Sequence, residues 1–184
     1  MIIDTSISEL VRSLLARRGM VEDADIAAFL SPDYEAHTHA PELLNDMRAA
    51  VARILSAMEN NERIAVYADY DCDGIPGAAI LSDFFAKINY TNIEVYLPHR
   101  DREGYGFHTE AITEISNGGV KLIITVDVGT VAREGCAFAR SLGIDVIVTD
   151  HHEIIGERPS CLALVNPKIP PYPFPGLCGA AVAF

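Results

Sequence analysis

In roughly the first sixty residues, apolar positions recur at helical spacing. Leu10, Val11, Leu14 and Leu15 follow a capping box made by Ser6 and Glu9 and stop at Gly19. Residues three and four apart share one helical face, so the spacing predicts a helix. A short segment over Asp23–Leu30 ends at Ser31 and Pro32, and residues 32–41, rich in His, Pro and acid, read as a loop. Asn45 is expected to cap a helix that carries Met47, Val51, Ile54, Leu55 and Met58 on one face.

At Arg63 the pattern changes. Short, nearly continuous apolar runs at 64–67, 93–97, 122–126, 145–149 and 161–165 alternate with helical stretches near 76–87, 109–116 and 131–142. Strands without a polar face are buried on both sides, so the alternation predicts an α/β fold: a parallel β-sheet flanked by helices, preceded by a small helical N-terminal segment. The expected division is 1–61 for the helical segment and 62–184 for the α/β domain. Residues 166–176 hold Pro167, Pro170, Pro171, Pro173 and Pro175 and are expected to cross as an ordered loop. A helix opening at Gly179 is only begun when the sequence stops, so the α/β domain is expected to be truncated at its C-terminal end.

At 184 residues, a hydrophobic fraction of 49% supports a folded core and excludes disorder as the main state. No window approaches the roughly 20 apolar residues of a membrane span, and no basic-then-apolar leader opens the chain, so a cytoplasmic protein is expected. Cys72, Cys136, Cys161 and Cys178 are scattered, without the spacing of a zinc site or a disulfide framework, and are expected to be buried reduced thiols. The formal net charge of -12 argues at first against a partner that is itself a polyanion.

The placement of that charge alters the inference. In an open parallel sheet, functional groups collect at the carboxyl ends of the strands. There the first strand delivers Asp69, Asp71 and Asp73, the third Asp127, and the fourth Asp150, His151, His152 and Glu153. A lone D-x-D pair is commonly a turn or a helix cap; three loops converging is a different matter. Clustered carboxylates repel one another unless cations are present, and few Lys or Arg lie near in sequence. Divalent ions solve the problem: mixed Asp and His ligands suit Mn²⁺, with Mg²⁺ and Zn²⁺ as alternatives. Asp69 and Asp71, two apart, project to one side and suit adjacent ions about 3.5 to 4 Å apart, with Asp127 as the natural bridge. Two such ions would offset part of the acidity and act as a local receptor for phosphate.

The ordered motifs DYDCDG, GYGF, TVDVG, TDHHE, LVNPK and YPFPGLCGAAVAF resemble the DHH phosphoesterase superfamily, and within it the single-strand-specific exonucleases of the RecJ type, over essentially the whole chain. The resemblance implies a two-metal hydrolase that removes mononucleotides from the 5′ end of single-stranded DNA in recombination and repair, with a single-strand-binding protein and a helicase as further partners. Carried over by motif, Asp69, Asp71, Asp127 and His151 resemble metal ligands, and His152 a contact to the scissile phosphate. Asp150 and Asp73 resemble supporting groups behind the ligands, and Arg100 a phosphate contact. His99 and His108 stand where relatives often carry Asn, and Pro76 and Ala78 replace hydroxyl residues, departures that bear on substrate contacts.

Ala65 occupies the position of the first His in the H-x-x-x-D-x-D opening of the pyrophosphatase branch, which weighs against that branch. The family's fourth metal-binding Asp and its substrate-gripping domains are expected beyond Phe184, so the isolated chain is expected to be weakly active at most. Two other readings stand beside the exonuclease: an oligonucleotide or cyclic-dinucleotide phosphodiesterase of the same superfamily, which the helical prefix disfavours, and a catalytically silent scaffold, which the intact Asp and His set opposes.

Overall fold

The structure, a computed structural model, describes residues 7–184, which form two compact units divided between Ala40 and Pro41. The first unit holds α1 (Glu9–Ala16), α2 (Asp23–Leu30) and α3 (Tyr34–His37). Ser6 of the expected capping box lies outside the described residues. The cap of α1 is Ser8, whose hydroxyl accepts from Val11 N at 3.3 Å. Residues 32–41 are not wholly a loop: Asp33 accepts from Ala36 N at 2.8 Å and supports the single turn of α3. An Asp directly after a proline can cap the turn that follows it, and this local bond makes the difference.

The second unit begins with a 3₁₀ turn (Pro41–Leu43) and α4 (Met47–Glu59). It then runs β1 (Arg63–Ala68), α5 (Gly74–Lys87), β2 (Ile93–Tyr96), α6 (Thr109–Asn117), β3 (Val120–Val126), α7 (Arg133–Ser141), β4 (Asp145–Thr149), β5 (Ala163–Val165) and α8 (Gly179–Ala183). All strand pairs are parallel and the order is β2-β1-β3-β4-β5. The chain therefore reverses its direction of growth between β1 and β3, which opens a crevice at their carboxyl ends.

Alternate residues of the strands feed two cores. On one face Ala65, Tyr67, Ile123, Val146 and Val148 pack with Ile112 and Ile115 of α6 and Cys136 and Ala139 of α7. On the other, Ile64, Leu122, Ile124 and Ile147 pack with Ala50 and Ala57 of α4, Phe85 of α5 and Val182 of α8. Each fully buried Ile or Leu contributes about 1.5 to 3 kcal/mol, so both faces must be covered for the sheet to persist.

Asn45 does not cap α4. The residue before that helix is Asp46, in the left-handed region at φ 56° and without a capping bond. Asn45 Nδ2 instead donates to Leu164 O at 3.3 Å, and Asp46 Oδ2 accepts from Leu164 N at 3.2 Å. Together the two side chains satisfy the open edge of β5, whose buried backbone groups would otherwise lack partners. The cysteines are free thiols, but only Cys136 is buried; Cys161 is half-buried, and Cys72 and Cys178 are exposed. Those two sit in loops at the carboxyl edge of the sheet, which packing does not cover.

Candidate metal centre

The β-ladder itself sets the motif residues. Asp69 N donates to Val126 O at 3.1 Å, Asp127 N to Thr149 O at 2.9 Å, and Asp150 N to Val165 O at 3.1 Å. Each aspartate directly follows its strand and hydrogen-bonds the last residue of the neighbouring strand. Three consecutive strand ends thus set the backbones of Asp69, Asp127 and Asp150 in one row along the carboxyl edge of the sheet.

Asp69, Asp71, Asp73, Asp127, His151 and His152 meet at this edge, whereas Glu153 is exposed and pairs with Lys168 at 2.6 Å. Carboxylate oxygens of Asp69, Asp71 and Asp127 lie within 4.8 Å of one another, as do ligand atoms of Asp127, His151 and His152. Asp127 belongs to both groups. His151 Nε2 lies 3.1 Å from Asp127 Oδ1 and 3.5 Å from Asp73 Oδ2. Asp71 Oδ1 accepts from Asp73 N at 3.1 Å and from Gly74 N at 3.0 Å, so the same carboxylate opens α5. Asp73 Oδ2 accepts from Gly179 N at 2.7 Å, at the first turn of α8.

Asp150 faces the other way. It is wholly buried and accepts from Thr130 N at 2.8 Å, His151 N at 2.7 Å and His152 N at 3.2 Å, with His152 Nδ1 2.7 Å from its Oδ1. A carboxylate that engages Nδ1 fixes the ring and leaves Nε2 available. Arg100 comes to the site through Tyr70 of the DYDCDG loop: its guanidinium lies 4.6 Å from the ring centroid.

The electrostatics of the cluster follow from burial and crowded carboxylates. Burial, then the charges of Asp73 and Asp71, push the Asp127 carboxyl up to about 9. Burial likewise raises Asp69. Asp71 goes down: burial opposes its charge, but the backbone N–H groups of Gly74 and Asp73 outweigh burial. Asp127 also adopts φ 61°, a strained conformation for a residue with a side chain. Helix α8 presses against it so closely that a Cβ on Gly179 would lie 2.5 Å from the Asp127 Cβ. Asp69 Oδ1 and Asp127 Oδ1 are buried and accept no hydrogen bond. Two buried carboxylate oxygens without donors, beside Asp71 and an imidazole, fit a hard divalent cation.

Two contributors lie outside the residues expected from sequence. Asn166, wholly buried, donates to Thr130 Oγ1 and to His152 O, both at 3.0 Å, and accepts from Lys168 N at 2.9 Å. It directly follows the fifth strand, so the logic that selected Asp69, Asp127 and Asp150 selects it too. Tyr105, in the GYGF motif, places its hydroxyl 3.3 Å from His152 Nδ1 and its ring edge-on to that imidazole. Nothing in its local spacing signals that contact.

Comparison with known proteins agrees with this geometry. The chain is 39% identical over 180 residues to the single-stranded-DNA-specific exonuclease RecJ of Bacillus subtilis (strain 168), covering 97% of this chain and 23% of that protein. It is 36% identical over 143 residues to the RecJ of Escherichia coli (strain K12), covering 77% of this chain and 25% of that one. The chain thus spans about a quarter of the length of these relatives. A crystal structure of exonuclease RecJ bound to manganese superposes with a TM-score of 0.72 at 34% identity, covering 79% of this chain and 37% of that one. The model of the DHH family, N-terminal domain, matches residues 63–184, from β1 through every strand-end carboxylate to α8, and the chain belongs to the DHH family.

Proposed function

We propose that this chain is the catalytic core of a metal-dependent exonuclease that releases mononucleotides from single-stranded DNA, 5′ to 3′, in recombination and repair. The observation that carries the proposal is the pair of buried, undonated carboxylate oxygens of Asp69 and Asp127 at the crevice between β1 and β3. It is supported by the similarity to relatives named as single-stranded-DNA-specific exonucleases and to a RecJ structure bound to manganese.

In this reading Asp69, Asp71, Asp127 and His151 would hold two Mn²⁺ ions, or Mg²⁺ in their place, Asp127 being the residue common to both candidate ligand groups. When bound, the ions supply Lewis-acid activation of water and charge stabilisation on the phosphoryl oxygens. The protein's own groups do the positioning. Asp150 accepts from the His151 and His152 backbone and sets the His152 ring, which leaves Nε2 free for the scissile phosphate or its leaving group. Asp73 braces His151 against the first turn of α8. Arg100, stacked on Tyr70, supplies a fixed positive charge for a neighbouring phosphate.

In this reading the DHH-family residues 62–184 carry the catalytic groups and the helical residues 1–61 precede them, with α4 of that segment packed on the sheet. Single-stranded DNA is the substrate, a single-strand-binding protein and a helicase are the partners, and the cytoplasm is the location. Among the described residues no helix is long and apolar enough to cross a membrane.

The test offers the chain, with Mn²⁺, end-labelled single strands, duplex DNA, dinucleotides and pyrophosphate. Slow release of 5′-labelled mononucleotide from single strands, dependent on Mn²⁺, is the expected result. Preference for dinucleotides or pyrophosphate, or initial release from a 3′ label, would overturn the proposal.

A further inference from the structure

Away from the metal edge, one cavity of about 270 Å³ holds chemistry that hydrolysis does not use. It lies where β4 begins and the chain enters β5, and it is lined by Cys136, Arg140, Asp145, Ser160 and Cys161 among others. Asp145 is engaged by Arg53 at 2.6 Å, which leaves Arg140 as the uncommitted cation at the cavity wall. Cys136, on α7, is fully buried, whereas Cys161 is half-buried. Both cysteines line this one cavity, and Cys161 packs against the core cluster that contains Cys136. The neighbouring Cys136 thiol and the charge of Arg158 lower the Cys161 thiol, whereas its partner and burial push Cys136 up. A solvent-reachable sulfur with a second, buried sulfur behind it at the wall of the same cavity is the arrangement of an attacking and a resolving thiol.

We propose that Cys136 and Cys161 form a peroxide-responsive dithiol that closes to an intramolecular disulfide. The oxidant is a hydroperoxide, with hydrogen peroxide as the simplest case. Cys161, having released its proton, attacks one peroxide oxygen; the O–O bond breaks, and the hydroxide that leaves takes up a proton to become water. Sulfur is oxidised to the sulfenic acid. The Cys136 sulfur then attacks the Cys161 sulfur, the S–O bond breaks, and hydroxide departs with the Cys136 proton as a second water. Two thiols and one peroxide thus give one disulfide and two waters. The bond joins α7 to the entry of β5, on the opposite side of the sheet from the metal edge, so neither sulfur is needed for phosphate chemistry.

The test treats the 184-residue chain with hydrogen peroxide, alkylates the remaining thiols after denaturation, and reads intact mass and a peptide map. The expected product has lost the mass of two hydrogen atoms, carries a cross-linked peptide joining positions 136 and 161, and reverts with dithiothreitol. Cys136→Ala is expected to replace the bridge with a sulfenic acid at Cys161 that dimedone captures. Cys161→Ser, at a half-buried position that tolerates the change, is expected to leave Cys136 unoxidised, and it keeps the proposal testable if Cys136→Ala fails to fold. Oxidation confined to the exposed Cys72 and Cys178, or a Cys161 that proceeds to sulfinic acid with Cys136 still free, would overturn it.

Discussion

The two ends of one sheet handle charge in opposite ways. At the amino end, Arg53 Nε meets Asp145 Oδ2 and its Nη2 meets Glu62 Oε2, both at 2.6 Å, while Arg63 pairs with Glu94 at 2.5 Å. Burial disfavours the charge of Arg53, but the bonds to Asp145 and Glu62 outweigh that loss and raise its pKa. At the carboxyl end, aspartates crowd together with imidazoles in place of guanidinium groups, one of them strained in φ, and two of their oxygens meet no donor. One sheet supports both arrangements, and they differ in side-chain placement and in the left-handed backbone of Asp127. The amino end pairs its charges with opposite ones, although Arg53 Nη1 is buried without a hydrogen bond; the carboxyl end gathers like charges, a costly arrangement that suits cation binding.

The sharpest way to break this contrast is Asp127→Asn. Asn tolerates the left-handed region nearly as well as Gly and has the same shape, so the fold should survive. Loss of the shared ligand should lower Mn²⁺-dependent hydrolysis on the order of a thousandfold, about 4 kcal/mol of transition-state stabilisation. In chelator near neutral pH, the same variant should melt a few degrees higher than the parent, roughly 1 kcal/mol, because folding no longer has to bury a carboxyl that must first take up a proton. A variant that loses activity and also stability would mean that Asp127 is a structural residue.

The pH dependence follows from the same carboxyl. Its ordinary value is 3.8 and the folded value about 9, so the folded chain binds a proton here that the unfolded chain gives up. The stability from this group is therefore fully present below about 3.8 and is lost as pH rises toward 9. Urea denaturation of the metal-free chain should show that decline, and Asp127→Asn should flatten it. Mn²⁺ at a hundred times its Kd should add about 2.7 kcal/mol, and more of it at high pH, since the ion competes with the proton.

Asn166→Ala comes next, and it separates support from ligation. Removing the amide takes donors from Thr130 Oγ1 and the His152 carbonyl, at about 1 to 3 kcal/mol of stability. Because the His152 segment then loosens, activity should fall about 10- to 100-fold, while Mn²⁺ affinity measured by paramagnetic relaxation changes far less than in Asp127→Asn. Equal losses of affinity in the two variants would erase the distinction between ligands and the residues behind them.

Much of this was legible in the sequence, for reasons that differ by element. The strands stood out because burial on both faces makes them continuously apolar, and once the sheet is parallel its carboxyl edge follows; hence Asp69, Asp127 and Asp150 could be grouped before any coordinates. Asn166 obeyed the same rule and was missed because an amide before a proline resembles an ordinary turn. Asn45 misled because Asn is a common helix cap, whereas here its amide serves the edge of a strand 119 positions away in sequence. Local chemistry cannot report such a partner. Tyr105 and the approach of Gly179 to Asp127 were hidden likewise, since both depend on how loops and helices fold back over the sheet. The cysteines divide between the two cases: their reduced state followed from spacing, but the exposure of Cys72 and Cys178 depended on loop packing.

The amino end makes the last and finest distinction, between pairing as such and pairing under burial. Arg53→Met keeps the length of the side chain but leaves Glu62 and Asp145 without their partner. Since those carboxylates retain some solvent, the cost should be about 1 to 3 kcal/mol, less than for a fully buried pair, with Mn²⁺ affinity unchanged. The control is Arg12→Ala in the first compact unit. Arg12 meets Asp23 at 3.0 Å, with side chains 49% and 85% exposed. Water screens such a pair and holding two mobile side chains together costs entropy, so its loss should change stability by at most about 0 to 1 kcal/mol. Comparable losses in the two variants would show that burial adds nothing to the Arg53 pairs, and the amino end of the sheet would then have no claim to be its stabilised end.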